Sequence, residues 1–154
     1  LTQWSKHSFT DTNVDTGVVE TFHTAEHFMM AAKAKCARDD AKRDQILRDP
    51  DPRNAKAVGR RLIFGRTNGV PFSDWEDIRE DVVRAASFLK FGQNPDAANY
   101  LRNTRNKILV EGSPYDTVWG CGISFTDRRI QNTQNWTGEN KLGNILMEVR
   151  EFLP

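Results

Sequence analysis

Glu26 and Lys33 are the residues in this sequence whose types and spacing suit chemistry. They lie seven positions apart in a stretch that reads as one helix. A wheel turned at 100° per residue puts them on one stripe with Met30. Their separation along the axis is about 10 Å at 1.5 Å per residue. That is too far for a bond between backbone positions, but both side chains can reach one ligand. A carboxylate can carry protons to and from a reacting group. An amine can attack an electrophilic carbon. Glu26 also falls in the first helical turn, where the helix dipole favours negative charge. The plain alternative is that both are surface charges, the default for these types, with Met30 as core filler. The wheel leaves that choice open.

The elements around them follow from local signals. Residues 1–22 read as extended or irregular, with a turn at Asp15-Thr16-Gly17 before Val18-Val19. Thr24 is the expected N-cap of the helix carrying Glu26 and Lys33, which runs to about Arg38. On that helix Ala25, Phe28, Ala32 and Cys36 form an apolar arc that predicts the core side, Cys36 included. His27, Lys35 and Arg38 fall opposite, on the expected solvated side. Asp39/Asp40 opens a short helix with Ile46 and Leu47. Asp51-Pro52 is a cap followed by proline at the first helical position. Ser73-Asp74-Trp75-Glu76 matches a capping box ahead of a long helix with an expected stripe of Ile78, Val82, Ala85, Ala86 and Leu89. Asn94-Pro95 repeats the cap-plus-proline signal. Lys107–Val110 and Ile123–Phe125 read as short strands. Leu142, Ile145, Leu146, Val149 and Phe152 mark a closing helix. The expectation is a mainly α (α+β) fold: a single multihelical domain with a few short β-strands.

Composition narrows the classes. The 154 residues suffice for one domain with a real core. A formal net charge of +1 excludes nucleic-acid binding driven by bulk charge. No apolar run is long enough to cross a bilayer, and the start lacks a signal-peptide pattern. An intracellular protein without a membrane partner is expected. Cys36 and Cys121 lack metal-ligand spacing, and His7, His23 and His27 read as structural. No metal or cofactor is called for. Asn135-Trp136-Thr137 matches a glycosylation sequon, discounted in an intracellular chain.

The blocks taken together resemble one family. Thr24-Ala25-Glu26-His27-Phe28-Met29-Met30-Ala31-Ala32-Lys33-Ala34 is similar to the signature helix of the NADAR (NAD- and ADP-ribose-associated, YbiA-like) family. Leu1-Thr2-Gln3-Trp4 resembles its L-S-N-F segment, and Ala55–Arg60 its A-K-x-x-G-R block. Trp75 with Asp77 and Arg79 resembles the W-x-x-x-R stretch, and Lys90-Phe91-Gly92-Gln93-Asn94 resembles K-F-x-Q-N. Leu109–Asp116 with Trp119–Gly122 resembles L-x-E-x-S-P-x-D-x-x-W-G-x-G. Gly138, Asn140, Leu142-Gly143, Leu146-Met147 and Arg150 resemble the closing run. The blocks occur in order along the chain. Gln3 stands where asparagine is usual, and Cys121 where a branched apolar residue is common. The sequence starts at the L-S-N-F segment, so the strand that usually precedes it is expected to be lacking.

The resemblance implies an enzyme that breaks the bond between ribose C1 and a base nitrogen. Its leading substrate is ADP-ribosylated guanine, in a nucleotide or nucleic acid, with ADP-ribose as the product ligand. The alternatives are an N-glycosidase on phosphoribosyl-aminopyrimidine intermediates of riboflavin synthesis, or a non-catalytic ADP-ribose/NAD-binding module. A monomer is expected. Glu26, Lys33 and Asp116 are the implied catalytic set. Lys33 would attack C1, Glu26 would shuttle protons, and Asp116 would orient the ribose or Lys33. Trp119 offers a stacking face for a base, worth about 1–3 kcal/mol, against the reading of a core tryptophan. Gly120 allows close backbone approach. Gln3, Trp4, Met30, Phe91 and Gln93 complete the expected binding set. Asn94 and Asn140 belong to it too, each equally readable as a cap. Gly143 reads as close packing or as an approach to phosphate. Arg53, Lys56, Arg60 and Arg61 read as a solvated face or as a pyrophosphate contact. A nucleic-acid substrate would need an open basic rim, which Arg60, Arg61 or Arg66 can supply.

Overall fold

The computed structural model describes residues 2–154, and the chain divides into a unit ending at Ala97 and a unit starting at Ala98. The elements are mainly helical, with two short strands among the described residues.

The first unit opens with an antiparallel hairpin. Strands β1 (Phe9–Thr12) and β2 (Val19–Phe22) pair Phe9 with Phe22 and Thr12 with Val19. Gly17 makes the turn at φ +70°, a conformation that suits glycine, and its N–H donates to the Asn13 carbonyl at 2.7 Å. Phe9 and Phe22 stack, and Phe28 meets both at an angle, with ring centroids 4.8–5.9 Å apart, which fastens the hairpin to the next helix.

That helix, α1 (Ala25–Cys36), starts where Thr24 accepts the His27 N–H, as the cap signal predicts. Helices α2 (Asp40–Arg48), α3 (Pro52–Arg60) and α4 (Phe72–Gln93) all pack against it. A helix surrounded in this way has no single core side, so the wheel expectation holds for Ala25, Lys35 and Arg38 but not for the rest. Glu26, His27, Met29, Met30, Ala31 and Ala34 are buried, whereas Phe28, Ala32 and Cys36 are only half-buried. His27, expected in solvent, is fully enclosed. Its Nδ1 lies 2.8 Å from Thr24 Oγ1 and its Nε2 2.7 Å from the Asp49 carbonyl. Burial lowers the His27 pKa, with the Asp49 carbonyl opposing.

Asp39 and Asp51 cap α2 and α3 through their carboxylates, as expected. The capping box before α4 does not form. The helix begins at Phe72 after Pro71, without a side-chain cap. Its buried side is also rotated from the expected stripe: Trp75, Val83, Ala86, Ser87, Lys90 and Phe91 are buried, while Ile78 is exposed. Helix α5 (Pro95–Arg102) follows directly.

The second unit is mostly irregular up to helix α6 (Lys141–Phe152). Two 3-10 turns lie at Arg128–Gln131 and Thr133–Asn135. The strands expected at Lys107–Val110 and Ile123–Phe125 are not formed. Asn140 gives the physical reason for the first. Its Oδ1 accepts the Glu111 N–H and its Nδ2 donates to the Leu109 carbonyl, both at 2.9 Å. The Leu109 carbonyl, inside the expected strand, is a group a partner strand would have used, and the Glu111 bond fixes the chain just beyond it. On α6, Leu142, Ile145, Leu146 and Val149 are buried as predicted, but Phe152 is exposed. Among the described residues, no helix is long and apolar enough to cross a membrane.

Candidate active site

Glu26 is buried at the N-terminus of α1, with 4% of its surface exposed. The preceding turn holds it in two ways. The Gln3 carbonyl accepts the Glu26 N–H at 3.1 Å, satisfying one of the N–H groups a helix start leaves open. Trp4 Nε1 donates to Glu26 Oε2 at 3.2 Å. Trp4 itself is 40% exposed, and Lys56 of α3 lies 5.6 Å above its ring. A buried carboxylate thus sits beneath an exposed aromatic ring that carries a cation over its face.

Two turns along α1, Lys33 is half-buried. Its Nζ donates to the Gly59 carbonyl at 3.2 Å and lies 5.7 Å from the Phe72 ring centre. Burial lowers its pKa, the Glu26 charge opposes that shift, and Arg60 reinforces it. The Glu26 charge thus reaches Lys33 through space along the helix. Met30, between them, is buried against Gly59. A Cβ at Gly59 would collide with the Met30 sulfur, so only glycine lets α3 bring its carbonyl this close to Lys33.

The other expected residues of this unit sit at the end of α4. Phe91 is buried in the core. Gln93 Oε1 accepts the Thr10 N–H at 2.9 Å, and its Nε2 donates to the Thr10 carbonyl at 2.8 Å. Asn94 Nδ2 donates to the Ser8 carbonyl at 2.9 Å and to the Lys90 carbonyl at 2.8 Å. Both amides are engaged with the N-terminal segment.

The second unit holds Asp116, Trp119, Gly120 and Asn140 in one web of backbone bonds. Asp116 Oδ1 accepts the N–H groups of Val118 and Trp119 at 3.1 and 2.8 Å. Its Oδ2 makes no hydrogen bond among the described residues, and so keeps acceptor capacity for a ligand. Trp119 is half-buried. A Cβ on Gly120 would stand 2.8 Å from the Asp116 carbonyl oxygen, so the chain folds back on itself at that glycine. Asn140 (φ 51°) makes no side-chain cap and is held on both sides by the Leu109–Glu111 stretch. Gly143 packs tightly against the Leu109 carbonyl, which is the ordinary reason for a glycine there.

Lys90 has no role in the sequence reading, yet it is among the largest fully buried side chains. Val83, Ala86, Ser87 and Lys90 recur at helical spacing, all buried. That periodicity was the available signal, masked because lysine is so seldom buried.

The NADAR domain model matches residues 1–154. The chain is 36% identical over 132 residues to Protein irg-1 of Caenorhabditis elegans, covering 86% of this chain and 61% of that protein. It is 36% identical over 128 residues to N-glycosidase R617 of Acanthamoeba polyphaga mimivirus, covering 83% and 72%. The NMR structure of the E. coli protein YbiA matches at a TM-score of 0.71 and 30% identity, over 99% of this chain and 76% of that one. Fold, ordered sequence blocks and family model agree: the chain belongs to the NADAR family.

Proposed function

We propose that this protein is an N-glycosidase that hydrolyses the ribosyl–base bond of ADP-ribosylated guanine. The observation that carries the reading is the pair on α1: a buried carboxylate, Glu26, in electrostatic reach of an amine, Lys33, whose pKa is lowered. The similarity to an N-glycosidase supports the reaction class. Exposed Arg60, Arg61 and Arg66, with Lys56 beside Trp4, favour a substrate rich in phosphate.

The chemistry follows from what each group can do. Breaking the C1–N bond develops positive charge at C1, which the Glu26 carboxylate stabilises. Lys33 Nζ attacks C1 and loses a proton, while the base nitrogen takes a proton and leaves with the bonding electrons. The nitrogen lone pair of the ribosylamine then opens the ring, the C1–O4′ electrons pass to O4′, which takes the proton that Nζ released, and water hydrolyses the resulting imine, supplying the C1 oxygen of ADP-ribose and returning the amine. Lowering the Lys33 pKa enlarges the neutral, nucleophilic fraction near neutrality.

Mass spectrometry of an ADP-ribosylated guanine oligonucleotide, incubated with the protein, tests this. Loss of one ADP-ribose mass, abolished by Glu26→Ala, is the expected result. An intact oligonucleotide alongside cleavage of a phosphoribosyl-aminopyrimidine would transfer the reading to small nucleotides. An intact oligonucleotide with tight ADP-ribose binding and no cleavage would leave a binding module.

A further inference from the structure

We propose that Lys90 is a positioning residue: its buried ammonium straps the Thr2–Ser5 turn over the start of α1 and thereby sets the Trp4–Glu26 contact. The inference rests on the N-glycosidase reading for its kinetic arm only.

The strap is visible bond by bond. Lys90 Nζ donates to the Thr2 carbonyl at 2.9 Å and to the Ser5 hydroxyl. Ser5 Oγ and Ser5 N–H also reach the Thr2 carbonyl, at 3.0 and 3.2 Å, so the turn is closed on itself around the lysine. From this turn Gln3 and Trp4 make their bonds to the backbone and carboxylate of Glu26. Thr2, Trp4 and Lys6 are exposed, so little apolar burial holds the turn in place. Polar bonds fix it, and the Lys90 bonds tie it to the core.

The same end of α4 continues the clamp. Lys90, Gln93 and Asn94 occur at i, i+3 and i+4, which places them on one face of the helix. They bind Thr2 and Ser5, Thr10, and Ser8 respectively, gripping the N-terminal segment at successive points. Gln93 and Asn94 are neutral amides near the surface, whereas Lys90 is 1% exposed. Burial pushes its pKa down to about 8, so the fold keeps an ammonium where it is least comfortable. A methionine would fill the same space without strapping the turn. The position of the charge over a carbonyl and a hydroxyl of a turn that touches Glu26 gives it a purpose.

The experiment compares wild type with Lys90→Met, which keeps the volume and removes the donors. Three readouts are expected. Folding is retained, since replacing a buried charge by an apolar side chain is often neutral or stabilising. The exchange rate of the Trp4 indole N–H, followed by NMR without substrate, rises. The kcat for glycosidic cleavage falls about tenfold or more, the scale of a misplaced catalytic group, with KM nearly unchanged. In a double-mutant cycle, Lys90→Met and Trp4→Phe are non-additive, because both act through one contact. Ser5→Ala, which removes one partner at a half-buried site, shifts the same readouts in the same direction by less. It also serves if Lys90→Met fails to fold. Unchanged Trp4 indole exchange in a folded variant overturns the proposal, as does a kcat loss that multiplies independently with Trp4→Phe. A wild type inactive on every glycosidic substrate would sink the function, while the indole exchange would still decide the strap.

Discussion

Helix α1 and the Leu109–Gly120 stretch hold their functional groups in opposite ways. On α1 the backbone is regular, and Glu26 and Lys33 are fixed by bonds from distant segments: Trp4, 22 positions away, and Gly59, 26 positions away. In the Leu109–Gly120 stretch the backbone is irregular, and Asp116 is fixed by N–H groups two and three residues on. There the fold itself is stitched from afar, by Asn140 across 29 and 31 positions. A helix supplies position cheaply and leaves orientation to tertiary partners. A loop supplies local orientation and needs tertiary bonds for its very shape. Substitutions should therefore damage chemistry in the first region and folding in the second.

The largest effect is expected at Lys33 and Glu26. Borohydride should reduce the Lys33 imine to a stable protein–sugar adduct; Lys33→Ala should abolish both cleavage and this trapped adduct, while thermal unfolding stays near wild type. Glu26→Gln should lower kcat by about 10²–10⁴, the range for a general acid–base group. A Lys33→Ala protein with full activity would remove the nucleophile from the mechanism. On the loop side, Asn140→Ala should destabilise by about 2 kcal/mol, because the Leu109 carbonyl and Glu111 N–H lose their partner. Denaturant unfolding checks this, and an unfolding midpoint equal to wild type would break the contrast.

Two smaller effects sharpen it through pH. Arg60 holds the Lys33 pKa down, so Arg60→Ala should raise it and move the rising limb of adduct trapping to higher pH. No displacement of that limb would detach Arg60 from the site. For Lys90, the folded pKa near 8 lies below the ordinary 10.5. Between those values the unfolded chain binds more protons than the folded one, so wild-type stability rises with pH. Any stability advantage of Lys90→Met at pH 7 should shrink as pH climbs through that window. Parallel melting curves from pH 7 to 10 check it, and a constant difference would mean that Lys90 titrates normally.

Much of this was readable in advance where the signal is local. Thr24, Asp39 and Asp51 cap the helices expected of them, and α6 buries four of its five predicted apolar residues. Failures occurred where a longer-range competitor intervened. The capping box at Ser73 lost to a start at Phe72 behind Pro71. The strand expected at Lys107–Val110 lost the Leu109 carbonyl to Asn140, which also holds Glu111 just beyond it. The wheel of α1 misassigned His27 because it presumes one wet side, and three helices pack on this one.

Spacing alone placed Glu26 and Lys33 on one helix stripe, since a 3.6-residue period fixes which side chains share a stripe whatever surrounds it, while the roles proposed for them came from the family resemblance. The order of the blocks named the family for the same reason: it is written in one dimension. Burial and partnership were decided by the tertiary structure. Whether Glu26 is a surface charge or an enclosed acid depends on a turn 22 positions earlier. Whether Lys90 is a solvated cation or a strap depends on carbonyl and hydroxyl groups 88 and 85 positions away. Energies of that kind arise from desolvation and from contacts between remote segments, and neither is a property of any short stretch of sequence.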